Sequence, residues 1–165
     1  MKSPSFLLVR LGSLGDVIHA VPAAAALRAR YPDARIDWLV DPRYVPVLQL
    51  VEGLDEAIAI DPRGAIGVSL GTIRKLRGVK YDAVVDLQGL LKSAALARGA
   101  GAQRVIGFPR EHLRDPLARI FYSETPDPGR DPHVVHKNLM LIRALGVDDL
   151  PVTFPLKLPR TVTGD

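Results

Sequence analysis

FLLVRLGSLGDVIHAVPAAAALRARYP, residues 6–32, contains the transition on which the fold turns. A six-residue, mostly apolar run breaks at a turn with two glycines and continues at once as an Ala/Leu-rich segment. A short apolar run bounded by glycine reads as a buried strand; the segment from Asp16 to about Arg30 reads as a helix ended by Tyr31-Pro32. The pattern then repeats. RIDWLV (35–40), EAIAI (56–60), YDAVVDL (81–87) and QRVIGF (103–108) read as further strands. Helices are expected around 44–51, 72–77 and 90–98, and, after an arginine-rich connection, at 116–122 and 133–145. Strands alternating with helices imply right-handed crossovers and a doubly wound, mostly parallel Rossmann-like α/β sheet. Residues 1–150 form this domain. Residues 151–165 carry three prolines without periodicity and read as a linker or tail towards a second domain.

With 165 residues, 47% apolar and 24% charged, the chain suffices for one domain with a sizeable core, or for half of a two-domain enzyme. The apolar stretch 17–27 is shorter than the roughly 18 residues that cross a bilayer and is interrupted by His19 and Pro22. Lys2 alone makes no signal-peptide basic region, so cytoplasmic residence is expected. The absence of cysteine removes disulfides, thiolate metal sites and a cysteine nucleophile. The net charge of +4 comes mostly from arginine, which suits forked recognition of phosphate or carboxylate. With 5% aromatic residues and no basic–aromatic interleaving, nucleic acid is not an expected partner.

In open parallel sheets, ligands gather beyond the carboxyl ends of the strands. Three polar clusters fall there: Gly12-Ser13-Leu14-Gly15-Asp16, Asp61-Pro62-Arg63 and Gln88-Gly89-Leu90-Leu91-Lys92. GSLGD is neither G-x-G-x-x-G nor a P-loop, and Asp16 would aim its charge at a pyrophosphate. Spacing alone leaves two readings of Asp16 open. It complements the positive end of a helix, or it waits at a cleft to accept a proton from a hydroxyl. A helix N-terminus lowers a carboxylate's pKa, which suits a hydroxyl that becomes acidic only late in a reaction.

Lys92, about a turn into its helix, reads either as an anion contact or as a solvated lysine. FPREHLRDPLARIFY (108–122) gathers Arg110, Arg114 and Arg119, as a charged surface loop or a basic arm. His112, His133 and His136 lack carboxylates at metal-ligand spacing, so no metal site is expected. Ser13 has no neighbouring histidine to activate it. His19 is expected to pack or to hydrogen-bond locally.

Together, LLVRLGSLGDVIHAVPAAAALRARYP, IDWLV, YDAVVDLQGLLKSA and RDPLARIFY resemble the lipopolysaccharide heptosyltransferases of glycosyltransferase family 9, most of all the heptosyltransferase I branch. The resemblance spans roughly residues 6–158. It implies a GT-B architecture, with an N-terminal Rossmann-like domain for the acceptor and a C-terminal one for ADP-heptose. Such enzymes are about twice as long, so the chain reads as the acceptor domain alone, inactive without its donor half. The implied reaction is inverting: heptose moves from ADP-heptose to a Kdo sugar of lipid A. The family's catalytic aspartate falls on Asp16. Acceptor contacts are expected at Ser13, Arg63, Lys92, Arg114 and Lys137, Arg63 lying in a stretch that aligns poorly and Lys137 standing where arginine is usual. No cofactor or metal is implied beyond the donor substrate. A lipid-borne acceptor implies work at the cytoplasmic face of the inner membrane. The competing reading is a non-catalytic nucleotide-binding Rossmann-like domain.

Overall fold

The computed structural model describes residues 2–64 and 66–157, with the backbone alone for 66–68. Its five strands are β1 (Ser5–Val9), β2 (Arg35–Val40), β3 (Glu56–Ala59), β4 (Ala83–Asp86) and β5 (Arg104–Ile106). They lie in the order β3-β2-β1-β4-β5, and every ladder is parallel. The central strand β1 is buried throughout because it is flanked on both edges, Phe6–Val9 pairing with Ile36–Leu39 and with Ala83–Asp86. Such a strand needs an apolar run rather than alternation. This is the doubly wound sheet expected from the sequence.

The helices are α1 (Leu14–Arg30), α2 (Val45–Gln49), α3 (Ile66–Val79), α4 (Leu91–Gly99) and α5 (Val134–Ile142), with 3-10 turns at Pro42–Tyr44, Arg110–His112, Pro116–Phe121 and Arg143–Leu145. Right-handed crossovers place α1 and α2 on one face and α3 and α4 on the other. α5 returns to pack on α1, where Asn138 Nδ2 donates to the His19 carbonyl at 3.3 Å. The direction of winding reverses between β1 and β4, which opens a crevice between the loops that follow them.

Several boundaries differ from the sequence expectation. β1 and β4 are shorter than the apolar runs that contain them, because Arg10-Leu11 and Leu87 already turn towards the loops. α1 begins two residues before the expected Asp16 and, as expected, runs through Pro22, whose missing N–H leaves only one carbonyl unserved and whose ring is buried. α3 begins six residues before the expected Thr72, which Gly67 and Gly71 concealed by lowering helix propensity. The expected helix at 116–122 is a 3-10 turn, and the one at 133–145 ends in another. Beyond residue 150 the chain folds back on the α2–β3 turn: Glu52 N donates to Pro155 O (2.9 Å), and Lys157 N donates to Leu50 O (2.7 Å). The rest of the expected linker, 158–165, lies outside the described residues. Among the described residues, no helix is long and apolar enough to cross a membrane.

Candidate active site

Asp16 sits in the first turn of α1, at the carboxyl end of β1. Its Oδ2 accepts from the Ser13 backbone N–H (3.1 Å) and the Ser13 hydroxyl (2.8 Å) and lies 2.9 Å from a terminal nitrogen of Arg10. Oδ1 has no partner among the described residues. The side chain is 39% exposed, so the carboxylate is salt-linked without being sealed. Partial burial works against ionisation. The Ser13 hydroxyl, the Arg10 charge and the Ser13 amide outweigh it and hold the carboxyl below its ordinary value.

The turn that carries Asp16 is braced from β4. Gln88 Oε1 accepts from Leu11 N (2.7 Å) and Gly12 N (3.3 Å), while the Leu87 carbonyl accepts from Arg10 (2.9 Å). Gly12 lies against the Tyr44 ring so closely that a Cβ there would stand 2.8 Å from Cε2. An open hollow of about 250 Å³ adjoins this turn, lined by Leu11, Gly12, Ser13, Asp41, Arg43, Tyr44, Pro62 and Gln88. A neighbouring hollow of about 260 Å³ shares Asp41 and Arg43 and adds Pro42, Asp61 and Arg63. Asp41 grips Arg43 with both carboxylate oxygens (3.1 and 2.9 Å), which holds Asp41 below the ordinary carboxylate value. Asp61 Oδ1 accepts from the Arg63 backbone N–H (2.8 Å) and leaves the exposed Arg63 side chain at the rim.

The remaining expected contacts divide. Lys92 is the second residue of α4, closer to the helix start than expected. It is exposed and has no ion pair among the described residues. A cation there opposes the helix dipole and gains from an anion. Arg114 is also exposed and unpaired, and its neighbour Asp115 accepts from Leu91 N at 3.1 Å, which brings Arg114's segment to the start of α4. Lys137 lies on α5 and lines neither hollow. Ser13 lines the first hollow, but its hydroxyl is directed at Asp16. His19 packs edge-on against His133, with ring centres 5.9 Å apart.

Beneath these loops lies the buried Asp86. Its carboxylate accepts from Tyr122 Oη (2.5 Å), Ser93 Oγ (3.0 Å), Gln88 N (3.0 Å) and Gly89 N (3.4 Å). Burial pushes Asp86 above the ordinary carboxylate value, opposed by these four donors, and burial likewise pushes Tyr122 up. Arg10 and Tyr122 were missed from sequence as members of this assembly, and Gln88 was placed in a polar cluster beyond β4 without a role. The signal available was Arg10 itself, a cation inside an apolar run that has to find a partner.

With this geometry in place, similarity to known proteins is informative. The profile of glycosyltransferase family 9 (heptosyltransferase) matches residues 70–160, more than half of the chain. The chain belongs to glycosyltransferase family 9. This family member is 33% identical to lipopolysaccharide heptosyltransferase 1 of Pseudomonas aeruginosa over 144 residues, 82% of this chain and 41% of that protein. The corresponding Escherichia coli K12 protein is 29% identical over 150 residues, 85% of this chain and 47% of that one. The solved structure of E. coli heptosyltransferase WaaC with ADP-2-deoxy-2-fluoro heptose superposes with a TM-score of 0.80 at 27% identity, covering 90% of this chain and 50% of that one. The family 9 chain thus spans about half the length of the curated relatives it matches.

Proposed function

We propose that this chain is the acceptor-binding half of an inverting heptosyltransferase that moves L-glycero-D-manno-heptose from ADP-heptose to a Kdo hydroxyl of lipid A. One observation carries the reading: an ionised, half-exposed carboxylate, held through one oxygen and unengaged at the other, stands at the reversal point of a family 9 sheet. In the proposed step the acceptor oxygen bonds to the anomeric carbon of heptose, and its proton passes to Asp16. The bond from that carbon to the diphosphate breaks with its electron pair, releasing ADP. A carboxylate of lowered pKa is a weak base, adequate because the hydroxyl acidifies only as the new bond forms. Arg63, Lys92 and Arg114 supply charge for the phosphates and carboxylates of the acceptor, and the donor falls to the other half of the enzyme. The chain works at the cytoplasmic face of the inner membrane.

A non-catalytic nucleotide-binding domain is disfavoured by Asp16, whose charge occupies the helix mouth that a pyrophosphate would need. Binding separates the two readings. A Kdo-containing lipid A fragment is expected to raise the melting temperature of the chain, whereas ADP, ATP and NAD leave it unchanged. The affinity for that fragment should fall as salt rises. Lys92→Ala and Arg114→Ala should each weaken it by about two- to tenfold, on the order of 0.5–1.4 kcal/mol, as suits exposed charge contacts. A melting shift with nucleotide and none with the glycolipid reverses the assignment.

A further inference from the structure

Arg10 is placed with more care than a solubilising charge needs. One terminal nitrogen donates to the Leu87 carbonyl and the other meets Asp16 Oδ2, each at 2.9 Å. Its backbone is fixed as well: its N–H donates to Leu39 O (3.2 Å), and its carbonyl accepts from Trp38 Nε1 (3.1 Å). The side chain is 12% exposed, and its buried Nε has no partner among the described residues. An unpaired buried donor is destabilising, and an apolar residue at the end of a buried strand avoids that cost. Stability alone therefore does not account for an arginine here.

What the guanidinium does accomplish is to occupy one carboxylate oxygen and leave the other open. The Leu11 and Gly12 amides are engaged by Gln88, so Arg10 and Ser13 are the groups that hold Asp16 among the described residues. We infer that Arg10 is a positioning residue, which anchors Oδ2 of Asp16 to the end of β4 so that Oδ1 alone faces the acceptor hydroxyl. This rests on Asp16 being the general base. The charged surroundings of Asp16 are simple. Arg10 reaches it from the end of β1, while His19, next along α1, packs edge-on against His133, which caps α5. Gln88, from the β4–α4 connection, is neutral.

Carbon-detected NMR titration of the Asp16 carboxyl in this chain tests the inference without the donor half. In the wild-type chain the carboxyl is expected to titrate below the ordinary value of 3.8. It should move upward in Arg10→Gln and return towards the wild-type position in Arg10→Lys. In the chain joined to its donor-binding half, Arg10→Gln should lower kcat by about 10- to 100-fold with the acceptor KM unchanged, the signature of a misplaced base. A wild-type carboxyl titrating at or above the ordinary value overturns the inference even where Arg10→Gln does not fold. So does a titration that Arg10→Gln leaves unmoved. Failure of the general-base reading is distinguishable, because Asp16→Asn would then retain full turnover whatever Arg10 does.

Discussion

Asp16→Asn, in the chain joined to its donor-binding half, is expected to lower turnover by about 10²- to 10⁴-fold, the range for loss of a positioned general base. Asparagine keeps an oxygen for the Ser13 amide, so the first turn of α1 survives. It cannot take a proton, and its amide nitrogen presents a donor where the acceptor hydroxyl needs an acceptor. In the proposed step Asp16 touches the reacting hydroxyl rather than the charged periphery of the acceptor, so the acceptor KM should hold while kcat falls. The pH dependence follows from the lowered pKa. Activity resting on ionised Asp16 is flat through neutrality and is lost only as pH falls through that depressed value. The associated stability has the same sign, present above the unfolded-state value of 3.8 and lost as pH drops through the folded one. Steady-state kinetics with a soluble Kdo acceptor decide the matter. A variant within threefold of wild type, judged against an expected loss of at least about 10²-fold, removes Asp16 from the mechanism.

Asp86→Ala should have the largest effect on stability. The substitution strands the Tyr122 and Ser93 hydroxyls and two backbone amides around a fully buried position. Each buried donor left without an acceptor costs on the order of 1–3 kcal/mol, so the loss is expected to be roughly 3–5 kcal/mol in all. For a domain of this size that lowers the melting temperature by roughly 6–20 °C. Ser93 can turn to the Leu90 carbonyl it already contacts at 2.9 Å, which moderates the loss. The Tyr122 hydroxyl has no such recourse among the contacts described. Thermal denaturation checks this directly, and a shift under about 2 °C, roughly the effect of less than 1 kcal/mol, would show that the network contributes little.

Much of the scaffold was legible because burial leaves a plain mark on composition. β2 coincides with RIDWLV, and the apolar run before Gly12 marks the central strand. Placing the polar clusters at the carboxyl ends of the strands required only the alternation of elements. The boundaries were harder where local propensity and tertiary packing disagree. Glycines hid the first turns of α3, and α1 begins two residues before the expected Asp16. The partners of Asp16 were hidden for a different reason. Arg10 precedes it by six positions, but the Leu87 carbonyl and Gln88 amide that orient the turn lie 77 and 76–77 residues from the groups they meet. No local pattern reports such contacts. The family resemblance located Asp16 but carried no information about what steers it.

Tyr122 lies so tightly over Gly107 that a single added carbon there would stand 2.3 Å from the ring, while its hydroxyl reaches Asp86. The arginine-bearing segment between these two residues is therefore pinned back against the sheet at its far end. For the proposed acceptor contact at Arg114, a backbone held in this way means that little affinity goes into ordering the arm. Loosening that packing is expected to weaken the proposed anion contact through a tyrosine that is not among the proposed contacts.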